Sequence, residues 1–260
     1  GSKEKVIDAG VSVELIHLGS LYHDDVIDGA TTRRGVESTN KKWNSTLSIL
    51  AGDYLLARSS ELAAESLGLE SVKLLASTYA QLVEGQTKEV QFSFDTNHGT
   101  DDYLKIIEGK TASLIKTSAK LGAMASGCKQ ETISSISKWA WHSGIIFQIT
   151  DDILDLSSDE KTLGKPSGND IIEGTYTLPV LIALEKYPEK INKILSDISE
   201  NKVGVNEVIN EFNNDEIISE SKLFLKTHLE KSESAAIEID NKTIRNILLD
   251  INKYLIERSN

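Results

Sequence analysis

Apolar residues recur every three or four positions along most of this chain, in runs long enough to make helices. Val6, Ile7, Val13, Ile16 and Leu21 form one such stripe, which predicts a helix over 4–28 ending at Gly29. A polar stretch over 30–40 reads as a loop. Further helices are predicted over 41–67, 70–94, 101–126 and 130–156. The alternation from Glu89 to Phe94 also suits a strand, but its helical neighbours carry it into the helix. Thr177 then opens another helix, with Pro179 in the first turn, where a missing N–H costs nothing. The rest, to Asn260, is amphipathic helix broken near 199–204, 213–215 and 240. The prolines are Pro166, Pro179 and Pro188, so none interrupts the first 165 residues. No linker divides the chain, and the expected fold is all-α, one large helical bundle.

Two of these helices carry the same five-letter word. Asp24-Asp25-Val26-Ile27-Asp28 and Asp151-Asp152-Ile153-Leu154-Asp155 are both DDxxD, and both are embedded in apolar residues. On a helix, residues four apart lie one above the other, so Asp24 shares a face with Asp28, and Asp151 with Asp155. Like charges so placed repel. An acidic pair is ordinarily a solvated face, but two copies with apolar flanks point elsewhere, because carboxylates are rarely buried unless paired or metal-bound. The six aspartates are the candidate metal ligands. An all-oxygen set suits Mg²⁺, which takes one or two carboxylates together with substrate phosphates. Two such helices facing each other across a cavity would hold several ions and a phosphorylated ligand.

Composition narrows the partners. With 28 Lys+Arg against 40 Asp+Glu in 260 residues, the formal charge is −12, which argues against non-specific binding to nucleic acid or an anionic membrane. Against that background Arg33-Arg34, close after the first acidic word, read as chosen cations. A single cysteine, Cys128, excludes an intrachain disulfide and suits a reducing compartment. No apolar run is long enough to cross a bilayer, and the start shows no signal-peptide pattern. The expected location is cytoplasmic, with at most transient membrane contact to release a greasy product.

In sequence order, the chain carries His23-Asp24-Asp25-Val26-Ile27-Asp28, Arg33-Arg34-Gly35, Ala51-Gly52-Asp53-Tyr54-Leu55-Leu56-Ala57, Glu84-Gly85-Gln86 and Gly109-Lys110-Thr111-Ala112. Further on come Phe147-Gln148-Ile149-Thr150-Asp151-Asp152, Gly164-Lys165-Pro166 and Thr177-Leu178-Pro179. From about Val13 to Leu184 it resembles the trans (E-) polyprenyl diphosphate synthases, the head-to-tail prenyltransferases. The resemblance implies a bundle of the isoprenoid synthase type with a central cavity. It also implies Mg²⁺, three ions bridging a diphosphate, with Mn²⁺ an alternative. The implied substrates are isopentenyl diphosphate and an allylic prenyl diphosphate, and the implied assembly is a homodimer. Arg33, Lys110 and Lys165 are then expected to bind the allylic diphosphate, and Arg34 the isopentenyl diphosphate. Lys110, Thr111 and Gln148 are expected to face the developing carbocation, the first two through a helix kink. His17 and His23 are expected only to pack or to support ligands.

Two departures stand out. The family's Gly-Lys-x-x-Arg segment ahead of the first acidic word is absent from the 23 residues before Asp24. The expectation is therefore one polyprenyl synthetase domain over 1–260 that lacks its N-terminal helices. Thr175 stands where many relatives carry a phosphate-binding lysine. Product length follows from the residues below the first word. Ser20, Gly19 and Ile16 are small or modest where short-chain members carry an aromatic floor, so a hexaprenyl-to-decaprenyl product is expected. A class I terpene cyclase shares the bundle, but its second motif mixes Asn, Ser or Thr with Glu. A regulatory subunit of a heteromeric synthase commonly loses one acidic word, and both are intact here.

Overall fold

The computed structural model describes residues 2–157 and 167–258. The fold is all-α. Helix α1 spans Lys3–Ile27 and is opened by Ser2, whose Oγ accepts from the Lys5 N–H at 3.2 Å. A two-stranded hairpin follows, β1 Thr32–Arg33 against β2 Val36–Glu37, then the short α2, Thr39–Lys42. Helix α3, Ser45–Ser66, is capped by the Asn44 side chain, and α4 covers Leu69–Gln91. Helix α5, Thr100–Ile107, passes through a π-helical turn, Glu108–Ala112, into α6, Ser113–Ala125. Helix α7 spans Gln130–Ser157. The remainder comprises α8 Asn169–Ile172, α9 Leu178–Lys186, α10 Pro188–Ser199, α11 Val205–Val208, α12 Asp215–Ile237 and α13 Lys242–Glu257.

Three local expectations change. Residues 30–40 hold the hairpin and the start of α2, because Asn40 and Ala30 tie the stretch back to Asp25 of α1 and Ser38 closes it on Ala30 and Thr31. Helix α4 stops at Gln91, since Phe94 adopts a φ of +60° and donates its N–H to Gly174 O at 2.9 Å. The helix expected over 101–126 is not regular, for the π turn lies inside it. No helix of the described residues is long and apolar enough to cross a membrane.

The chain divides into two compact units, residues 1–80 with 117–134 and residues 81–116 with 135–260, the division falling inside α4, α6 and α7. In the first unit α1 lies along α3 over small residues. Ser59 Oγ donates to Ser12 O at 2.7 Å and Ser48 Oγ to Tyr22 O at 3.0 Å. A Cβ on Gly52 would fall 2.9 Å from Gly19 O, so the two backbones meet where neither residue has a side chain.

The second unit is built around α9, whose residues from Leu178 to Leu184 are all buried. Ile145, Ile146, Ile149 and Ile153 of α7 pack into the same core, with Ile191, Leu195, Phe212 and Ile217. At its margin His142 of α7 and His228 of α12 bring their Nδ1 atoms to 3.1 Å. Burial pushes both imidazoles down, His228 to about 4, with His142 and then Lys231 adding to the effect. Both rings are therefore neutral at pH 7 in the fold. A histidine released by unfolding titrates near 6.5, so the unfolded chain binds more protons between about 6.5 and 4. Stability from this pair is fully present above pH 6.5 and lost as pH falls toward 4. Thermal melts should show the midpoint dropping from pH 7.5 to pH 5, and His228→Gln should flatten that slope. An unchanged slope in the variant would remove the pair as its cause.

Candidate active site

The first acidic word ends α1. Asp25 is 1 % exposed, and a carboxylate that deep needs a partner. Arg33 supplies it, donating from Nε and Nη2 to Asp25 Oδ1 at 2.8 and 2.6 Å. The hairpin turn delivers the guanidinium. Arg34 and Gly35, its two loop residues, have φ of +53° and +81°, the left-handed pair that two-residue hairpins require. Arg34 is thereby exposed at the tip. The Asp25 carbonyl accepts from Ala30 N at 3.0 Å and Asn40 Nδ2 at 2.9 Å, which closes the loop onto the helix end. Asp24 is half-buried and Asp28 exposed, one turn apart.

Beside them, His23 sits over Gly52, where an added Cβ would fall 2.4 Å from its Nε2. That nitrogen donates to Ile49 O at 3.1 Å and lies 3.4 Å from Asp53, while Nδ1 accepts from the Tyr79 hydroxyl at 3.4 Å. The Tyr79 phenol is pushed up by burial, then by the charges of Asp53 and Asp24. Of the residues expected to line a product tunnel, Gly19 points at α3, since its Cβ would meet Gly52 O at 3.0 Å and Leu56 Cγ at 3.3 Å. Ile16 is buried. Ser20 is half-buried, with Oγ donating to His17 O at 2.8 Å.

The second acidic word lies near the end of α7, in the second unit. Asp152 is 2 % exposed, and both its oxygens are engaged. The Tyr103 hydroxyl donates to Oδ2 at 2.5 Å and Gln148 Nε2 to Oδ1 at 2.9 Å. Burial raises its pKa to about 8, the charges of Asp170 and Asp151 add to that, and the two donors oppose it. Asp151 is half-exposed and accepts from Arg258 Nη2 at 3.0 Å, the guanidinium lying over the Phe147 ring. Asp155 is buried one turn further on.

Thr111 Oγ1 donates to Gln148 Oε1 at 2.7 Å, so the structure brings these two expected catalytic side chains together. Both answer to the π turn. A Cβ on Gly85 would fall 2.6 Å from Lys110 N, one on Gly109 2.7 Å from Gln81 O, and one on Gly144 2.7 Å from Ala112 Cα. The widened turn is held between α4 and α7 by contacts that only glycine permits, as such turns often are at functional sites. Lys110 Nζ bonds Glu89. Thr175, in the lysine's place, donates its N–H to Asp170 O at 2.8 Å. Lys165 lies outside the described residues.

Sequence reasoning did not single out Tyr103, Glu89, Asp170 or Arg258. Tyr103 reads as one more apolar residue on an amphipathic helix, and Arg258 as a solvated helix end. Among the described residues no three His, Cys, Asp or Glu are gathered as a ready-made metal cluster. The donors available are all carboxylate oxygens, and the Asp24/Asp28 pair fits Mg²⁺, which fills most of its sphere with water and phosphate. Replacing Arg33 by Met would strand the buried Asp25 carboxylate, at a cost of about 1.5–3 kcal/mol. Thermal unfolding of Arg33→Met with no ligand present should show the loss. A midpoint equal to the unaltered chain would mean that Asp25 does not depend on this arginine.

A family model for polyprenyl synthetase matches residues 1–214. The nonaprenyl diphosphate synthase of Mycobacterium tuberculosis is 46 % identical over 178 residues, which is 68 % of this chain and 53 % of that protein. The match thus spans about half the length of that relative. Component 2 of the Bacillus subtilis heptaprenyl diphosphate synthase is 32 % identical over 98 % of this chain and 73 % of its own length. Among solved structures, the geranylgeranyl pyrophosphate synthase of Corynebacterium glutamicum, complexed with calcium and isoprenyl diphosphate, superposes with a TM-score of 0.84 at 33 % identity. That superposition covers 99 % of this chain and 79 % of the other.

Proposed function

The chain belongs to the polyprenyl synthetase family, and on that premise we propose that it condenses isopentenyl diphosphate with an allylic diphosphate. In this reaction the allylic C–O bond breaks with both electrons leaving on diphosphate. The double bond of isopentenyl diphosphate attacks C1, and a proton is lost to give the extended all-trans chain. Mg²⁺, when bound, neutralises the charge that gathers on the leaving diphosphate.

The chain's own residues divide the work. Asp24, Asp28, Asp151 and Asp155 are the metal-facing carboxylates of the proposal. Asp25 and Asp152, already held by Arg33 and by Tyr103 with Gln148, keep the two words in shape. Asp151, bonded to Arg258 here, would hold the cation once that bond opened. Arg33, Arg34, Lys110 and Lys165 take phosphate oxygens, and Arg33 spends only its Nε and Nη2 edge on Asp25. Thr111 and Gln148 face the allylic cation with oxygen dipoles that stabilise charge without capturing it. The observation that carries the reading is the pairing of Thr111 with Gln148 at a π turn, bonded directly into the second acidic word.

A long product is part of the proposal, in keeping with the nonaprenyl and heptaprenyl relatives. Homodimerisation is another part. The exposed apolar row Leu47, Leu50 and Tyr54 along α3 supports it as a surface for a second copy. The name of the Bacillus relative, one component of a synthase, favours a second reading in which this chain is the catalytic member of a two-component enzyme.

Incubation with Mg²⁺, isopentenyl diphosphate and a panel of allylic primers should yield products of the hexaprenyl-to-decaprenyl range by chromatography. Omission of Mg²⁺ should abolish them. Ser20→Phe should shorten the product; Gly19 is unsuited to that test because a side chain there collides with α3. Cyclic hydrocarbons formed without isopentenyl diphosphate would overturn the assignment in favour of a terpene cyclase.

A further inference from the structure

Tyr103 is 3 % exposed and its ring belongs to the apolar core of the second unit, where a phenol requires a partner for its hydroxyl. The partner is Asp152, with the 2.5 Å bond to Oδ2; Gln148 Nε2 reaches the other oxygen, and Gln148 Oε1 accepts from Thr111. Four side chains from α5, the π turn and α7 thus form one continuous run of hydrogen bonds.

The chemistry of the groups decides its polarity. Asp152 receives the Gln148 NH₂ on Oδ1 and the Tyr103 hydroxyl on Oδ2, whereas the Thr111 hydroxyl can donate or accept. Thr111 alone would therefore tolerate either end of the Gln148 amide. Asp152 takes the NH₂ on Oδ1, with Oδ2 already occupied by Tyr103, and so turns Oε1 toward Thr111. A carboxylate this deeply buried keeps its orientation only while donors hold both oxygens, and Tyr103 is the donor on Oδ2.

We propose that Tyr103 is a positioning residue, fixing the Asp152 carboxylate and through it both the second acidic word and the direction of the Gln148 amide. This rests on the prenyl-transfer reading above. The competing explanation is that Tyr103 only fills the core, which its ring would do without the hydroxyl.

Tyr103→Phe separates the two, since it keeps the ring and deletes one oxygen. Mg²⁺ is titrated calorimetrically into the unaltered chain and the variant, each with inorganic diphosphate present, and thermal melts confirm that both are folded. Partners that orient a metal's ligands typically contribute 10–100-fold to its affinity, so the variant should bind Mg²⁺ about 10–100-fold more weakly. Equal affinity in a folded variant overturns the inference and leaves the prenyl-transfer reading standing. Failure of the unaltered chain to bind Mg²⁺ with diphosphate sinks both together. Should Tyr103→Phe not fold, Asp152→Asn is titrated in its place. It is nearly isosteric and replaces one of the two accepting oxygens by an amide nitrogen, and it should show a loss of the same size, while unchanged affinity there again overturns the inference.

Discussion

A carboxylate removed from water must be given hydrogen bonds or a counter-charge, and much of the site's local architecture follows from doing this twice. Asp25 and Asp152 occupy the same place in their two acidic words, and each is almost fully buried. The first is met by a guanidinium carried on a hairpin turn, the second by a phenol and an amide. These solutions differ in charge. The Arg33 pair is ionic and partly open to solvent, so it leaves guanidinium N–H groups facing outward. The Tyr103–Gln148 pair is neutral and closed; burial raises the Asp152 proton affinity, and these two donors oppose the rise. In each word the middle aspartate is bonded to the protein, while Asp24 and Asp151 are half-buried and Asp28 is exposed.

Close approach of backbones is the second constraint. Gly19 on Gly52 sets the crossing of α1 with α3, and Gly85, Gly109 and Gly144 set the seat of the π turn. At each of these points even a methyl group would come within about 3 Å of a neighbouring atom. Gly52, Gly85 and Gly109, which lie in the motifs of the sequence, therefore serve packing. The last two bring Lys110 and Thr111 out of regular α geometry in a place where the neighbouring helices leave no slack.

Much of this was legible in the chain. The long three-and-four stripes marked the helices, and Thr177 with Pro179 marked the start of α9. The repeated DDxxD word drew attention to two helix segments whose second aspartates are almost fully buried. The hairpin at Arg33-Arg34 was not legible, because its two-residue strands are too short for alternation to register and are held by Asn40 reaching back to Asp25 of α1 and by Ser38 bonding Ala30 and Thr31. The end of α4 escaped for a similar reason, being set by a bond from Phe94 to Gly174, eighty residues away in the chain. Tyr103 was invisible because a core aromatic and a buried donor look the same in one letter. Arg258 on Asp151 is a contact across a hundred residues that no local pattern encodes. Gly19 was read as space for a product and proved to be space for a helix.

The division of labour within each acidic word is the claim that organises the rest. Crystals grown with Mn²⁺ and inorganic diphosphate, measured for anomalous scattering at the manganese edge, test it most directly. The account predicts manganese on Asp24 with Asp28 and on Asp151 with Asp155, with Arg258 displaced and with Asp25 and Asp152 still bonded to Arg33 and Tyr103. Manganese away from both words, or an Asp25 or Asp152 that leaves its partner to bind the metal itself, would contradict it.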